Sequence, residues 1–577
     1  MTLFRWVLLM SACAFAGAVL LPHGLQRLDR EYPFQGIEIM PGDQEHYYAV
    51  RVREVIDGFP EVANAYFASP KDQPPLQPAL PEFLIARVIQ LLGLDVVPGF
   101  VFMKGLSSML LFAAFTAFFC TLSGRPWESL LAVAGLLFAG SALHAPWDII
   151  PFLTDTNFSI DFLRFARPVN PQWSALLFLL ALTSLASWMK ERRAWKTILA
   201  GGLTAALLYS YVYAWTYLGV TVALLFLWYV LRRDWMRVRD LLFFGCAFLL
   251  LGIPYLLNFR ELLQHPWYAA TAARQGLAEK RGLVFGVWSL LFPLLAFLSR
   301  RWWPQCFPLL IALAASGLLA LNQQVITGLY LVPHHYHWYF VQPLAGITAL
   351  LLFYEWGGRL LPSGKRRIGF SIVLLLTISF GLLQQWKAYP TVRAAWGERQ
   401  HLAPLFAFLQ WQTQPGVSVF ATEAAGGVRD FTPIYTAADV TFAGHAPLFL
   451  TSFERTRDAF FLDLWLQGLA PEDAEERFLT DLRLDVSSRL HAIYYREALG
   501  GFERIPDDLL MEHAAAYRAY VPLSLEEKLQ RSPMDFAVFS SDDPETEALK
   551  LLREAGSTVY TDQKYSVSRY SVLPQKN

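Results

Sequence analysis

The first residues that could carry out chemistry lie directly after the first apolar run. They form the sequence Gly42-Asp43-Gln44-Glu45-His46, in which two acids stand two residues apart. The Pro-Gly pair before Asp43 predicts a tight turn, and Asp43 is a suitable N-cap for a helix that follows. The residues that would fall near one stripe of this helix are Asp43, Tyr47, Arg51 and Glu54. Asp43 either only caps a surface helix or has a functional role at the edge of the membrane, and the rest of the chain must decide between the two.

Three later polar segments, 144–172, 258–283 and 322–338, hold the remaining candidates. The first combines acids with arginines, the second is cationic and the third contains three histidines. The candidate residues are Asp155, Asp161, Arg164, Arg167, Arg274, Lys280, Arg281, His334, His335 and His337. Together they could form a polar cavity for an anionic ligand, because cationic side chains near an interface suit phosphate head groups.

Each of these groups has a second interpretation. Asp155 and Asp161 could cap short helices. His334, His335 and His337 could ligate a metal, but neighbouring residues diverge on either a helix or a strand, so phosphate contact is favoured. The aromatic residues near the same loops are typical of interface anchors.

The hydrophobic content of 55% is concentrated in residues 1–386, whereas 387–577 has the composition of a soluble domain. This pattern predicts a polytopic α-helical membrane protein of about eleven spans with a C-terminal α/β domain. The predicted spans are 6–21, 105–122, 127–146, 173–189, 197–211, 215–231, 241–257, 284–299, 306–321, 339–354 and 368–386. The formal net charge of zero does not suggest nucleic-acid binding, and the four cysteines form no disulfide or zinc pattern.

The stretch 197–231 decides the orientation. As one helix it would be about 52 Å long, which far exceeds a hydrocarbon core of about 30 Å. Basic clusters flank it on both sides, so two short helices with a tyrosine-rich outer turn keep both clusters inside. This arrangement predicts a cytoplasmic N-terminus, a first extracytoplasmic loop over 23–98 and an extracytoplasmic C-terminal domain.

The segment 387–577 is long enough for its own core. One β-α-β unit stands out: a strand at 535–540, Asp543 as N-cap, Pro544 at the first helical position, and a second strand after Gly556. No phosphate-binding glycine loop is present in it.

This layout resembles the GT-C superfamily of integral-membrane glycosyltransferases, which includes oligosaccharyltransferases and protein O-mannosyltransferases. The resemblance is carried by one N-terminal span, the acid-led loop at Asp43, the segments Asn64-Ala-Tyr66 and 164–171, a Tyr-rich hairpin at 209–217 and an outer α/β domain. No subfamily motif such as a Trp-Trp-Asp triplet appears.

The resemblance implies inverting transfer of a sugar from a polyprenyl-phosphate donor to a lipid, glycan or protein acceptor, in the bacterial inner membrane. Asp43 would be the general base, with Glu45 sharing the role if the helix starts after it. Asp155 or Asp161 would bind the acceptor or a divalent ion (Mg or Mn), since only some relatives use a metal. The phosphate would be held by the basic and histidine candidates above, and Tyr47 and Arg51 would also bind substrate.

An envelope polysaccharide polymerase or ligase and a lipid-linked-glycan transporter are the alternatives. Polymerases usually carry their large outer loop late in the membrane part, whereas here it follows the first span. A transporter would be expected to place charges in the middle of its spans. The spans here are almost free of charge, with Lys104 close to an end.

Overall fold

The computed structural model describes residues 2–41, 45–68, 71–155, 158, 160–274, 278–279, 281–357, 363–492, 495 and 499–570. In the part that precedes the C-terminal domain, the helices are α1 Thr2–Leu28, α2 Glu45–Ile56, α3 Leu80–Leu92, α4 Val96–Ser123, α5 Pro126–His144, α6 Ile149–Thr154, α7 Gln172–Glu191, α8 Trp195–Leu208, α9 Val212–Leu231, α10 Trp235–Gln264, α11 Tyr268–Arg274, α12 Val287–Ser299, α13 Phe307–Leu321, α14 Gln324–Thr327, α15 Pro333–Tyr336, α16 Gln342–Gly357 and α17 Ser363–Glu398. A short β-pair, β1 Ala278–Glu279 and β2 Leu329–Tyr330, joins two of the later loops.

Among the residues that the structure describes, six stretches of helix are long and apolar enough to cross a membrane, by length and composition: Leu3–Leu28, Val96–Ser123, Gln172–Glu191, Val212–Leu231, Trp235–Gln264 and Ile368–Gln412. The shorter apolar helices are Pro126–Ala142, Trp195–Leu208, Val287–Ser299 and Phe307–Leu321. A further apolar helix, α16, follows a π-helical segment at His337–Val341. Each predicted span therefore coincides with a helix, and the chain is a polytopic helical membrane protein with a C-terminal α/β domain.

The stretch 197–231 forms two helices, as its length and flanking charges predict. Helix α8 ends at Leu208 and α9 begins at Val212, with Tyr209 to Tyr211 in the turn between them. Helix α8 packs closely on α10 at Gly201, where an added Cβ would collide with the carbonyl oxygen of Phe244. Glycine is therefore required there for the two helix backbones to approach each other.

The C-terminal part contains the helices α18 Leu402–Gln412, α19 Val428–Tyr435, α20 Phe453–Leu466, α21 Ala474–Leu479, α22 Arg483–Asp485, α23 Asp507–Tyr520, α24 Leu525–Arg531 and α25 Glu547–Ala555. Its strands are β3 Ser418–Ala421, β4 Asp439–Val440, β5 Phe536–Ser540, β6 Ser557–Thr561 and β7 Tyr565–Arg569, in the sheet order β4-β3-β5-β7-β6. Strands β4, β3 and β5 are parallel, whereas β7 is antiparallel to both of its neighbours.

The predicted β-α-β unit is correct in its element order and wrong at the start of its helix. Strand β7 lies between β5 and β6 in the sheet. The helix begins at Glu547 with Thr546 as its N-cap, and Asp543 instead accepts a hydrogen bond from the backbone N–H of Ser540. Asp543 therefore belongs to the turn after β5.

The sheet has two buried faces, and one of them packs against the segment between α1 and α4. Val419 and Val538 belong to a core that also contains side chains of α2, α3 and the first turns of α4, while Phe420 and Phe539 belong to a second core with side chains of α20, α21, α23 and α25. Side chains that alternate along a strand reach opposite faces. The backbone N–H of Val440 also donates to the carbonyl oxygen of Tyr66 at 2.7 Å.

A buried three-charge cluster joins the same two parts. The Lys71 ammonium lies 2.8 Å from a carboxylate oxygen of Glu54 on α2 and 2.7 Å from one of Asp439 on β4. Burial raises the pKa of Glu54 to about 7, and it raises the pKa of Asp439 as well, although Lys71 opposes both shifts. Two carboxylates thus share one cation.

This cluster predicts a pH dependence of stability. Because the pKa of Glu54 is higher in the folded chain, its stabilising contribution is complete below about pH 4.5 and is lost as the pH rises through about 7. We expect Glu54→Gln to flatten the decline of Tm between about pH 5 and 8 in detergent. Glu61→Gln, a change at an exposed acid of the same loop, is the control and should keep the wild-type slope. Equal slopes for wild type and Glu54→Gln would contradict the prediction.

Candidate active site

A cavity of about 730 Å³ lies between the membrane helices and the loop that follows α6. Its walls come from α5, α6, the segment 158–167, the start of α16 and the middle of α17, with contributions from α1, Pro41 and α4. The apolar lining includes Val19, Leu136, Leu137, Ile149, Phe152, Phe158, Phe162 and Phe380. The polar lining includes Lys104, Asp148, Asp161, Arg164, Arg167, Tyr339, Gln342, Gln384 and Gln385. The cavity is therefore amphipathic, with apolar side chains and a set of cations and acids in its wall.

Arg164 and Arg167 are the two predicted cations that line this cavity. Arg164 Nη1 donates to the side-chain oxygen of Gln342 at 2.6 Å, and Arg167 Nη2 donates to the Tyr339 hydroxyl at 3.1 Å. The guanidinium of Arg167 also lies over the ring of Tyr48, 5.5 Å from its centroid. These contacts join both guanidinium groups to neighbouring elements of the cavity wall, and the nearby Asp161 carboxylate also interacts electrostatically with Arg164.

Lys104 is the third cation in the cavity wall, and it belongs to a buried ion pair. Its ammonium lies 2.7 Å from Glu45 Oε1 and 3.4 Å from His23 Nε2. The side chains of Lys104 and Glu45 are each 1% exposed. On its other side, His23 lies 3.0 Å from Glu38, which also pairs with Arg27. This network connects α1, α2 and α4.

The helix after the loop begins at Glu45, so this residue does not precede it. Asp43 itself lies outside the described residues. The chain on both sides of it is described: Pro41 lines the cavity, and Glu45 pairs with Lys104, which also lines it. The acid-led loop is therefore bracketed by two residues that connect it to the cavity wall.

Of the predicted acids of segment 144–172, Asp161 lines the cavity and Asp155 does not. Asp148, which the sequence did not single out, lines it as well. Within the described part of the chain, the group of three side chains whose ligand atoms lie close enough for a metal ion includes neither Asp148, Asp155 nor Asp161. Binding of Mg or Mn by one or two of these acids together with a substrate phosphate stays a prediction.

The three histidines of segment 322–338 lie beside the cavity and do not line it. Nδ1 of His335 is 2.7 Å from the Tyr211 hydroxyl, and its ring packs on Tyr213. Burial, followed by the charges of His334 and Arg167, lowers the pKa of His335 to about 3. His335 is therefore neutral near pH 7. His334 packs on Trp338, which does line the cavity, and His337 packs against Gly286.

The other predicted residues lie elsewhere. Tyr47 and Arg51 face α3, where Arg51 pairs with Glu82 and donates to the Gln77 carbonyl at 2.9 Å. Arg274 is buried against the C-terminal domain, where it donates to the Thr451 carbonyl at 3.0 Å, and burial lowers its pKa to about 10. Arg281 lies near Gly328, outside the cavity, and Lys280 is outside the described residues.

Sequence reasoning did not identify the glutamines that hold the cavity loop. Gln385 accepts a hydrogen bond from the Leu163 N–H at 3.0 Å, and Gln384 donates to the Asp161 carbonyl at 2.8 Å. Both glutamines lie in the last turns of a predicted span, where a polar pair in an apolar run was the available signal. Lys104 is likewise a polar residue at the end of an apolar run. These residues position the loop that carries the two arginines.

Comparison with known proteins finds no matching family model and no matching curated protein. Among solved structures, the chain is similar to ArnT from Cupriavidus metallidurans, crystallised with undecaprenyl phosphate bound. The match covers 98% of each chain at 14% identity, with a TM-score of 0.47.

Proposed function

We propose that this chain is a glycosyltransferase that moves a sugar from a polyprenyl-phosphate carrier to an acceptor at the extracytoplasmic face of the membrane. The observation that carries the proposal is a cavity lined by Arg164, Arg167 and Lys104 together with many apolar side chains. A sugar-charged polyprenyl phosphate needs both features, since it joins an anionic head group to a hydrocarbon chain.

The phosphate would be bound by the arginines. Guanidinium groups hold phosphate oxygens through charge-assisted hydrogen bonds and stay protonated at any physiological pH. The two guanidinium groups donate to Gln342 and Tyr339, and a phosphate would bind in addition to these partners or in their place. The ammonium of Lys104 already pairs with Glu45, so the arginines are the better candidates for direct contact with the phosphate.

The proposed reaction is a single displacement. The acceptor hydroxyl attacks the anomeric carbon, the bond between that carbon and the phosphate oxygen breaks, and polyprenyl phosphate leaves with the bonding electrons. Asp43 would take the hydroxyl proton as general base. The arginines would stabilise the charge that develops on the leaving phosphate. One base and one displacement invert the anomeric configuration, and no step is routed through a metal ion.

The test follows donor lipids, because loss of the sugar from its carrier can be read for any acceptor. Membranes from cells with and without this chain are incubated with the total polyprenyl-phosphate-sugar fraction of the same cells, and each lipid is followed by mass spectrometry. We expect one sugar-bearing lipid to be consumed and polyprenyl phosphate to be released only when the chain is present. A transporter would leave every lipid-linked sugar intact, and that result would refute the proposal.

The same assay tests the arginines. We expect Arg164→Gln and Arg167→Gln each to raise the donor concentration needed for half-maximal transfer by about 10- to 100-fold, since a hydrogen bond to a charged group contributes about 1.5–3 kcal/mol. The control is Arg260→Gln, which removes an exposed arginine that does not line the cavity. Arg260→Gln should keep the wild-type donor dependence. If Arg164→Gln and Arg167→Gln keep it as well, these two arginines do not bind the phosphate.

A further inference from the structure

Three potential metal ligands from distant parts of the sequence meet between the first outer loop and the C-terminal domain. His46 lies in the first turn of α2, Asp430 lies in α19, and His445 lies just before a 3₁₀ turn at Ala446–Leu448. One ligand atom from each residue lies within 4.8 Å of the other two. All three residues are half-buried, and none lines the cavity described above.

The donor set is that of a transition-metal site. Two imidazole nitrogens and one carboxylate oxygen are typical ligands of zinc and of related first-row divalent ions. Two ligands of one tetrahedral zinc ion, each about 2.0–2.2 Å from the metal, lie about 3.4 Å apart. The observed spacing therefore needs an inward movement of about 1 Å, which small side-chain rotations can supply.

The surroundings distinguish this group from ordinary aromatic packing. The two imidazole rings meet edge to face, with centroids 4.8 Å apart, and Tyr66 and Phe431 pack on their outer sides. Ring packing alone would explain the histidines but not the carboxylate of Asp430 among them. Arg399 is close enough to interact electrostatically with that carboxylate, and a bound cation would add a positive charge in direct contact with it.

We propose that His46, Asp430 and His445 bind a divalent transition-metal ion, with zinc as the best-suited class. Such a site would fasten the start of α2 to the C-terminal domain, in addition to the apolar core that the two already share. The three protein ligands leave a further coordination position for water. This site is separate from the sugar-transfer cavity, and the proposal does not depend on that reaction.

The experiment uses the full chain purified in detergent and stripped with a chelator. Zinc is added back, free zinc is removed, and bound zinc is measured by mass spectrometry of the metal and by competition with a coloured zinc indicator. We expect about one zinc per wild-type chain and a rise in Tm on zinc addition. His445→Gln and Asp430→Asn should each lower the zinc affinity by about 10-fold or more and abolish the rise in Tm.

The matched control is His401→Gln, which removes another partly buried histidine of the same domain that bonds Tyr565 and lies outside the group. It should keep both the zinc and the rise in Tm. A wild-type chain that retains no zinc overturns the proposal, as does zinc retained equally by His445→Gln and Asp430→Asn. Because the readout is metal content and Tm, either result leaves the sugar-transfer proposal to its own test.

Discussion

Asp43→Asn is expected to abolish sugar transfer while leaving the donor lipid bound. Asparagine keeps the size of the side chain but cannot accept the proton of the attacking hydroxyl, and removal of a general base lowers a rate by about 10²- to 10⁴-fold. The donor concentration for half-maximal transfer should change little, because the arginines that would bind the phosphate are untouched. Turnover and donor dependence are both measured by release of polyprenyl phosphate.

The control for this change is Asp72→Asn, at an exposed acid of the same outer loop, and it should keep wild-type turnover. Wild-type turnover in Asp43→Asn would remove this residue from the proposed role. Asp148 and Asp161, the described acids of the cavity wall, would then be the next candidates, and Asp148→Asn and Asp161→Asn would separate them. The cavity proposal itself would stand until both of those variants also proved active.

The helices of the membrane part could be predicted from the sequence because each one depends on the length and hydropathy of its own segment. A helix must satisfy its own backbone in lipid, so length and hydropathy set the spans one at a time. The turn at Tyr209 to Tyr211 follows from the same reasoning, since one helix over 197–231 would have been too long. Arg164 and Arg167 were likewise placed in the cavity by their position in an outer loop between two spans.

The parts that could not be predicted depend on contacts between distant residues. Strand β7 enters the sheet between β5 and β6, although each of the three strands has a similar local pattern. Arg51 was predicted on the same stripe as Asp43, but Glu82, 31 residues later, holds it against α3. His46 meets Asp430 because helix α19 of the C-terminal domain packs on α2. The helical period of 3.6 residues predicts which side chains share one face of a helix, but it does not predict which element packs on that face.

Lys104 shows the difference between what the local sequence predicts and what contacts between distant residues determine. As a single lysine near the end of a predicted span, it suggests only a side chain that reaches the interface. In the structure it is 1% exposed and pairs with Glu45, 59 residues earlier. The pair joins the first turn of α2 to α4 and so supports the loop that carries Asp43. An acid that was a catalytic candidate from its sequence position thus has a structural partner.

We expect Lys104→Met to destabilise the protein strongly. Removing one partner of a buried ion pair costs about 3–5 kcal/mol, because the remaining charge loses its compensation away from water. Here the Glu45 carboxylate would lose a cation 2.7 Å away, and a Met side chain of similar length offers it no positive charge. The measurement is Tm in detergent, together with the yield of monodisperse protein. Lys190→Met, at an exposed lysine of α7, is the control and should leave Tm unchanged within a degree or so.

The double variant Lys104→Met, Glu45→Gln separates charge from packing. If the loss comes from an uncompensated carboxylate, neutralising Glu45 should recover most of the Tm, since replacing both partners of a buried pair by neutral groups is often nearly neutral. If the loss comes from the shape of the lysine chain, the double variant should be no more stable than Lys104→Met. A double variant that recovers Tm and still transfers sugar would exclude Glu45 as the base. One that recovers Tm but has lost turnover would show that this pair positions the acid-led loop or takes part in the reaction.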